Sequence, residues 1–291
     1  ALAATTGVRP RVLLRITPGV EAHTHEFVAT GQDDSKFGFT VSSGLATAAV
    51  ERATAAGSVE LVGLHAHIGS QVFEVGAFSR AVEVLAGFAA PFGLPELSVG
   101  GGLGVPYVEG EAAPSLTEWA AGIHEVCEAA GVTARVSAEP GRAIVAAAAV
   151  TLYRVGTVKD LPGIRTYVAV DGGMSDNPRP VLYGSGYETL LPRAANAERP
   201  RAVRVVGKHC ESGDLLVREG WVPDDLVVGD VLATPVTGAY GHAMGSNYNH
   251  VLRPAVVFVA DGDVREVVRR ESFEDLVARE VSGAGAEEFE S

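Results

Sequence analysis

The sequence predicts an α/β half followed by an all-β half. Through about residue 143, short apolar segments alternate with stretches of helical periodicity. From about residue 144 onward, strand-like apolar segments succeed one another with no helical pattern between them. A third observation refines the first half. Its polar or glycine-rich residues come directly after each strand, where a (β/α) barrel places its chemistry.

In the first half, residues 12–16 form a short apolar strand and residues 61–67 a second one ending in polar residues. Residues 97–99 run into glycines, and residues 134–138 run into Glu139. Helices are expected between them. Phe78, Ala81, Val82, Leu85, Phe88 and Ala89 recur at helical spacing. Ser115-Leu116-Thr117-Glu118 reads as a capping box, with Trp119, Ile123, Val126 and Cys127 on one face and Gly131 as the stop. Strands fed by helices pair in parallel. Four such units leave two free edges and cannot close a barrel, so the expected fold is the C-terminal half of a (β/α)8 barrel. In the second half, strands are expected over residues 150–158, 166–170, 203–208, 226–234 and 255–260. Asp261-Gly262 joins the last to residues 264–270 as a two-residue hairpin. The expected organisation is a partial barrel over 1–143, a β-sandwich or barrel-like domain over 144–280 and an acidic tail over 281–291.

Composition narrows the function. The chain has 291 residues, 47% hydrophobic and 20% charged, with a net charge of −13. That balance argues against nucleic acid and anionic membrane as partners. No apolar run approaches the ~20 residues of a membrane span, and Ala1-Leu2-Ala3-Ala4-Thr5 lacks the basic and apolar regions of a signal peptide. The missing initiator Met suggests a cut chain. Two cysteines, Cys127 and Cys210, make no disulfide framework and point to a reducing cytoplasm.

Four constellations carry chemistry. Cys210-Glu211-Ser212-Gly213-Asp214 sets a thiol beside a carboxylate in a polar turn, the setting of a reactive rather than an inert cysteine. The bland alternative is an ordinary loop cysteine. Gly100-Gly101-Gly102-Leu103-Gly104 follows a strand, where backbone N–H groups can approach a phosphate. It is not a dinucleotide fingerprint, and no helix starts directly behind it. His65-Ala66-His67 places two imidazoles on one strand face, as a metal pair would, but no cysteine or carboxylate cluster completes a site. The preferred reading stacks His67 on a flat ring, with Ser70 donating to phosphate; two barrel-lining histidines remain the alternative. Glu139-Pro140-Gly141-Arg142 offers a carboxylate for a pyridinium nitrogen and an arginine for an anion, or simply an internal ion pair. The polar turn 171–180 with Tyr183 beyond it, and Tyr240 in the turn 237–241, complete the candidates.

In order and spacing these segments resemble the diaminopimelate decarboxylases, fold-type III pyridoxal phosphate enzymes related to alanine racemase. The likeness runs from about Val12 to Arg279. It includes residues 19–25 with Glu26, Ser35-Lys36-Phe37-Gly38, residues 63–71, 100–104, 139–142, 171–183 and 208–214, and Tyr240. The resemblance implies a (β/α)8 barrel plus a β domain, in a homodimer with shared active sites. It implies pyridoxal 5'-phosphate as cofactor. His67 would stack on its ring, and Ser70, Gly100, Gly101, Gly102 and Gly141 would bind its phosphate. Glu139 would meet the ring nitrogen. Arg142, Arg179 and Tyr183 would hold substrate carboxylate, Arg142 would also bind the cofactor, and Tyr240 would contact cofactor and substrate. Cys210 would be the proton donor and Glu211 the partner of a distal ammonium, both supplied by the other subunit.

The family also has a cofactor-linking lysine in a Tyr-Ala-x-Lys-like segment. Lys36, Lys159 and Lys208 are the only lysines, and none stands in such a segment. The chain is therefore expected to begin near the fourth barrel strand and to be inactive alone. The expected activity is decarboxylation of meso-2,6-diaminopimelate to L-lysine, the last step of lysine biosynthesis, because arginines and a glutamate together suit a zwitterionic distal end. A decarboxylase of ornithine, arginine or a carboxylated polyamine is the alternative enzyme. A non-catalytic cofactor-binding paralogue is the alternative from another class, and a cofactor-free sugar-phosphate barrel a weaker one.

Overall fold

The structure is a computed structural model, and it describes residues 2–20 and 30–281. Of the segments named above, residues 21–26 and the tail beyond Val281 lie outside the described residues. The chain divides into two compact units, one ending at Ala148 and the other starting at Ala149.

The first unit is built on five parallel strands: β1 (Arg11–Thr17), β2 (Phe39–Thr40), β3 (Glu60–His65), β4 (Glu96–Ser98) and β5 (Arg135–Ser137). Their order is β2-β1-β3-β4-β5, and every neighbouring pair is parallel. The parallel sheet agrees with expectation; four strands had been expected, and β2 is the fifth. It has two residues, too few to show a period. Helices Leu45–Ala55, Val75–Ala89 and Leu116–Ala129 make the connections. The first was unforeseen because its apolar positions are almost all alanine. Ile16, Leu64 and Leu97 from adjacent strands pack against Ala46, Val50 and Leu85 from two helices. A second cluster joins Phe78 to Trp119, edge-on at 5.6 Å, together with Ile123 and Cys127. With the turn Ala90–Phe92, the helix from Val75 is apolar enough in length and composition to cross a membrane. Its Phe78, Ala81, Val82 and Leu85 are spent on these two clusters. The capping box forms as read: Ser115 Oγ accepts from Glu118 N at 3.1 Å, and Glu118 Oε2 accepts from Ser115 N at 2.8 Å. Gly131, at φ 65°, stops that helix in the left-handed region.

Register positions the chemistry. His65 lies beside Ser98, and Ser98 beside Ser137. The three strands thus end level, and the segments after them run side by side.

The second unit has a five-stranded mixed sheet: β6 (Val150–Leu161), β7 (Arg165–Val170), β8 (Arg201–Val206), β9 (Leu215–Val222) and β10 (Val231–Pro235). Its order is β10-β6-β7-β8-β9; β7 and β8 are parallel and the other pairs antiparallel. Tyr153, Val155, Val168, Val170, Val203 and Val205 alternate along their strands and are buried. A separate hairpin pairs β11 (Val256–Ala260) with β12 (Asp263–Val268). Its Asp261-Gly262 turn takes positive φ at both positions, as a type I′ turn requires.

Two expectations need correction. The strand read over 226–234 begins only at Val231, because Asp230 Oδ2 accepts from Val227 N at 2.9 Å and closes a turn there. Strand β9 was missed, because Arg218-Glu219-Gly220 interrupts its apolar run. The β domain expected over 144–280 is present, and among the described residues of the second unit it is one mixed sheet and one hairpin.

Candidate active site

In the first unit the loops after β3, β4 and β5 touch. A Cβ on Gly100 would sit 2.2 Å from Ala66 O, one on Gly101 2.0 Å from Glu139 O, and one on Gly102 1.9 Å from Gly69 O. No side chain fits at those distances, so the glycine run is what lets the three loops close on one another. Gly100 O accepts from Glu139 N at 2.8 Å and adds a further tie. Gly141 differs: space is open around its Cβ position, and its N–H donates to Glu139 O at 2.8 Å.

Glu139 is exposed and aimed by two neighbours. Ser98 Oγ donates to its Oε1 at 3.1 Å, and His65 Nε2 lies 3.4 Å from its Oε2. His67 Nδ1 accepts from Gly101 N at 3.2 Å, so a neutral ring carries its proton on Nε2. Burial lowers its pKa, and Arg15 and His65 lower it further. The ring is therefore uncharged at neutral pH, as suits stacking on a cationic heterocycle. Arg142 is buried and donates to Tyr107 Oη at 2.5 Å and Ser70 Oγ at 2.9 Å.

In the second unit, Cys210 and Glu211 stand exposed on a turn between β8 and β9. Asp214 fixes that turn from beneath. It is 2% exposed, and its carboxylate accepts from His209 N at 2.8 Å and from Met174 N at 2.7 Å. Its backbone closes the same turn, with Gly207 N donating to Asp214 O and Asp214 N to Glu211 O, both at 3.0 Å. Asp214 thus staples the Cys210 turn to the loop that follows β7. On that loop Asp176 accepts from Gly173 N at 2.7 Å, and burial raises its pKa. Arg179 is buried and donates to Tyr187 Oη at 2.8 Å. Tyr183 is half-buried at the end of the same short helix, Arg179–Tyr183. Glu211 accepts from the hydroxyl of Tyr248. Tyr240 is exposed, at φ 67°, ahead of the helix Gly241–Met244.

The first unit thus gathers His67, Gly101 and Glu139 around one loop cluster, and Ser70 with Arg142. The second gathers Cys210, Glu211 and their supports. Ser98, Tyr107, Tyr187, Asp214 and Tyr248 were not singled out as site residues from the sequence.

Residues 2–146 match the family described as pyridoxal-dependent decarboxylase, pyridoxal binding domain. The diaminopimelate decarboxylase of Mycobacterium tuberculosis strain H37Rv is 46% identical over 300 residues, covering 97% of this chain and 67% of that protein. This chain belongs to the diaminopimelate decarboxylase family. The enzyme of Actinosynnema pretiosum subsp. auranticum is 50% identical over 278 residues, covering 93% of this chain and 63% of its own length. A crystal structure of the M. jannaschii diaminopimelate decarboxylase in complex with L-lysine aligns with TM-score 0.88 at 31% identity, covering 97% of this chain and 66% of that one. The chain spans about two thirds of the length of these relatives. Membership makes the loop cluster of the first unit part of a pyridoxal-binding domain.

The residues present fit that cofactor in three respects. A carboxylate held by Ser98 and His65 suits a ring nitrogen, a neutral imidazole suits the ring face, and the glycine turn brings backbone close to a phosphate. Of the three lysines, Lys36 Nζ lies over the Phe37 ring, and Lys159 and Lys208 belong to the second unit.

Proposed function

We propose that the decarboxylase containing this chain removes CO2 from meso-2,6-diaminopimelate and releases L-lysine, in the last step of lysine biosynthesis. The observation that carries the reading is the Cys210 turn. A thiol and a carboxylate stand side by side in solvent on a turn locked by a buried aspartate. Bound pyridoxal 5'-phosphate supplies the electron sink that weakens the bond to the leaving carboxylate.

The chain's own residues do the rest. Glu139, oriented by Ser98 and His65, would hold the cofactor's ring nitrogen protonated. His67 would cover the ring face without adding charge. Gly100, Gly101, Gly102, Gly141 and Ser70 would hold the phosphate. Arg142, Arg179 and Tyr183 take substrate carboxylate, and Tyr240 lines the cofactor and substrate. The Cys210 thiol delivers the proton that replaces CO2. Glu211 takes the distal ammonium. We place Cys210 and Glu211 in the active site of the other subunit of a cytoplasmic homodimer. The first unit corresponds in this reading to the C-terminal half of a (β/α)8 barrel.

The test is a pair of substitutions. Cys210→Ala should lower kcat by about 10²–10⁴ and leave cofactor affinity intact, because the thiol acts after the cofactor is in place. Cys127→Ala should change neither, since Cys127 sits in the helix core. Equal effects of the two on kcat would make Cys210 structural.

A further inference from the structure

The segment after Tyr240 was not assigned a role by the sequence motifs, yet it reaches the Cys210 turn. Tyr248 is 40% exposed, and its hydroxyl donates to Glu211 Oε1. Its ring packs on the buried His209 ring at 5.4 Å between centroids. His209 Nε2 lies 2.8 Å from Ser175 Oγ, and Ser246 N donates to Ser175 O at 2.9 Å. The segment bearing Tyr248 is thus tied to the same loop that supports the turn from below. It is also held at its base, where Asn247 Nδ2 donates to Val251 O at 3.1 Å and Glu271 Oε2 at 2.6 Å. Directly after Tyr248, Asn249 and His250 both take left-handed φ, 53° and 56°. Consecutive non-glycine residues in that region persist only where surrounding contacts over-determine the chain, and such places concentrate at functional sites.

An exposed tyrosine on a surface turn needs none of this. A carboxylate on an exposed turn samples several rotamers unless something selects one, and selection matters when the carboxylate must meet a charge at one point. We propose that Tyr248 is a positioning residue for Glu211: its hydroxyl, braced by the ring contact with His209, fixes the direction of the carboxylate beside Cys210. This rests on the reading that Glu211 meets the distal ammonium of the substrate. Tyr248 therefore sets where that ammonium is read without touching it.

The hydroxyl bond has a spectroscopic signature. The groups facing the phenol are Glu211, which accepts its proton, Cys210, and the His209 ring. Donation to Glu211 raises the Tyr248 pKa first, and the negative charge of Glu211 adds to it. The experiment uses the chain as it stands and follows tyrosinate absorbance against pH. Tyr248→Phe should delete one group that titrates above the ordinary tyrosine value of about 10. Glu211→Ala should keep that group and move its midpoint down toward about 10. Amide exchange near neutral pH gives a second readout that high pH cannot disturb. The peptide spanning residues 209–214 should exchange several-fold faster in either variant, and the double variant should exchange no faster than the singles. The proposal is overturned if Tyr248→Phe deletes a group titrating at the ordinary value, if Glu211→Ala leaves its midpoint in place, or if the exchange effects add. The ammonium reading fails separately. In the decarboxylase containing this chain, an unchanged KM for diaminopimelate in Glu211→Ala would remove the substrate role while leaving the titration result standing.

Discussion

Replacing Asp214 with alanine should destabilise the second unit more than any other single change to the Cys210 turn. The carboxylate is 2% exposed and accepts two backbone bonds, from Met174 N at 2.7 Å and His209 N at 2.8 Å. Alanine removes both acceptors and brings no water to replace them. Each buried donor left unmade costs about 1–3 kcal/mol, so the pair costs roughly 2–6 kcal/mol. The glycines packed on the carboxylate add to this. The Cβ positions of Gly207 and Gly173 lie 2.2 and 2.8 Å from Asp214 Oδ2, so the backbone closes tightly on a group that would no longer be there. Set against total stabilities of about 5–15 kcal/mol, the loss is large. Asp214→Asn keeps the shape but turns one oxygen into a donor facing a donor, and should cost a similar amount. Native-state hydrogen exchange of the β8 and β9 amides reads the opening free energy directly. A change below about 0.5 kcal/mol in both variants, the range of ordinary surface substitutions, would refute the reasoning.

Other outcomes follow from the same contacts. Gly101→Ala should displace the loop bearing Glu139, because its Cβ would fall 2.0 Å from Glu139 O; calorimetric titration with pyridoxal phosphate should show weakened binding, and unchanged binding would mean the loops part freely. Iodoacetamide should modify Cys210 well before Cys127, since Cys210 is exposed while burial raises the Cys127 thiol pKa; peptide mass spectrometry gives the ratio, and equal rates would contradict the placement of both. His67 makes stability depend on pH. Its folded pKa lies below its ordinary 6.5, so between the two values the unfolded chain holds a proton that the folded chain does not. Stability should rise with pH through that window and level off above about 6.5. His67→Gln should flatten the slope in urea melts, and an unchanged slope would show that another group carries it.

Local signals in the sequence were read correctly where the physics is local. The capping box at Ser115, the stop at Gly131 and the Asp261-Gly262 hairpin each depend on a few adjacent residues. What was missed lies at long sequence separation. Tyr107 reaches Arg142 across 35 residues, Ser98 reaches Glu139 across 41, and Tyr248 reaches Glu211 across 37. No spacing rule announces such partners. Strand β9 was hidden for a different reason, since its charged Arg218 and Glu219 face solvent on a sheet edge and break the alternation. The glycine run was recognised for its approach to a phosphate. The structure adds that three neighbouring loops require it before any ligand does.

The residues of this chain are proposed to select a substrate with an ammonium and a carboxylate at its far end. The ratio of kcat/KM for meso-diaminopimelate to that for L-ornithine, measured on the decarboxylase containing this chain, tests it most directly. Losing a charged partner in a desolvated site costs about 2–5 kcal/mol, so a preference for meso-diaminopimelate of at least about thirtyfold is expected. Equal kcat/KM on the two substrates would contradict it.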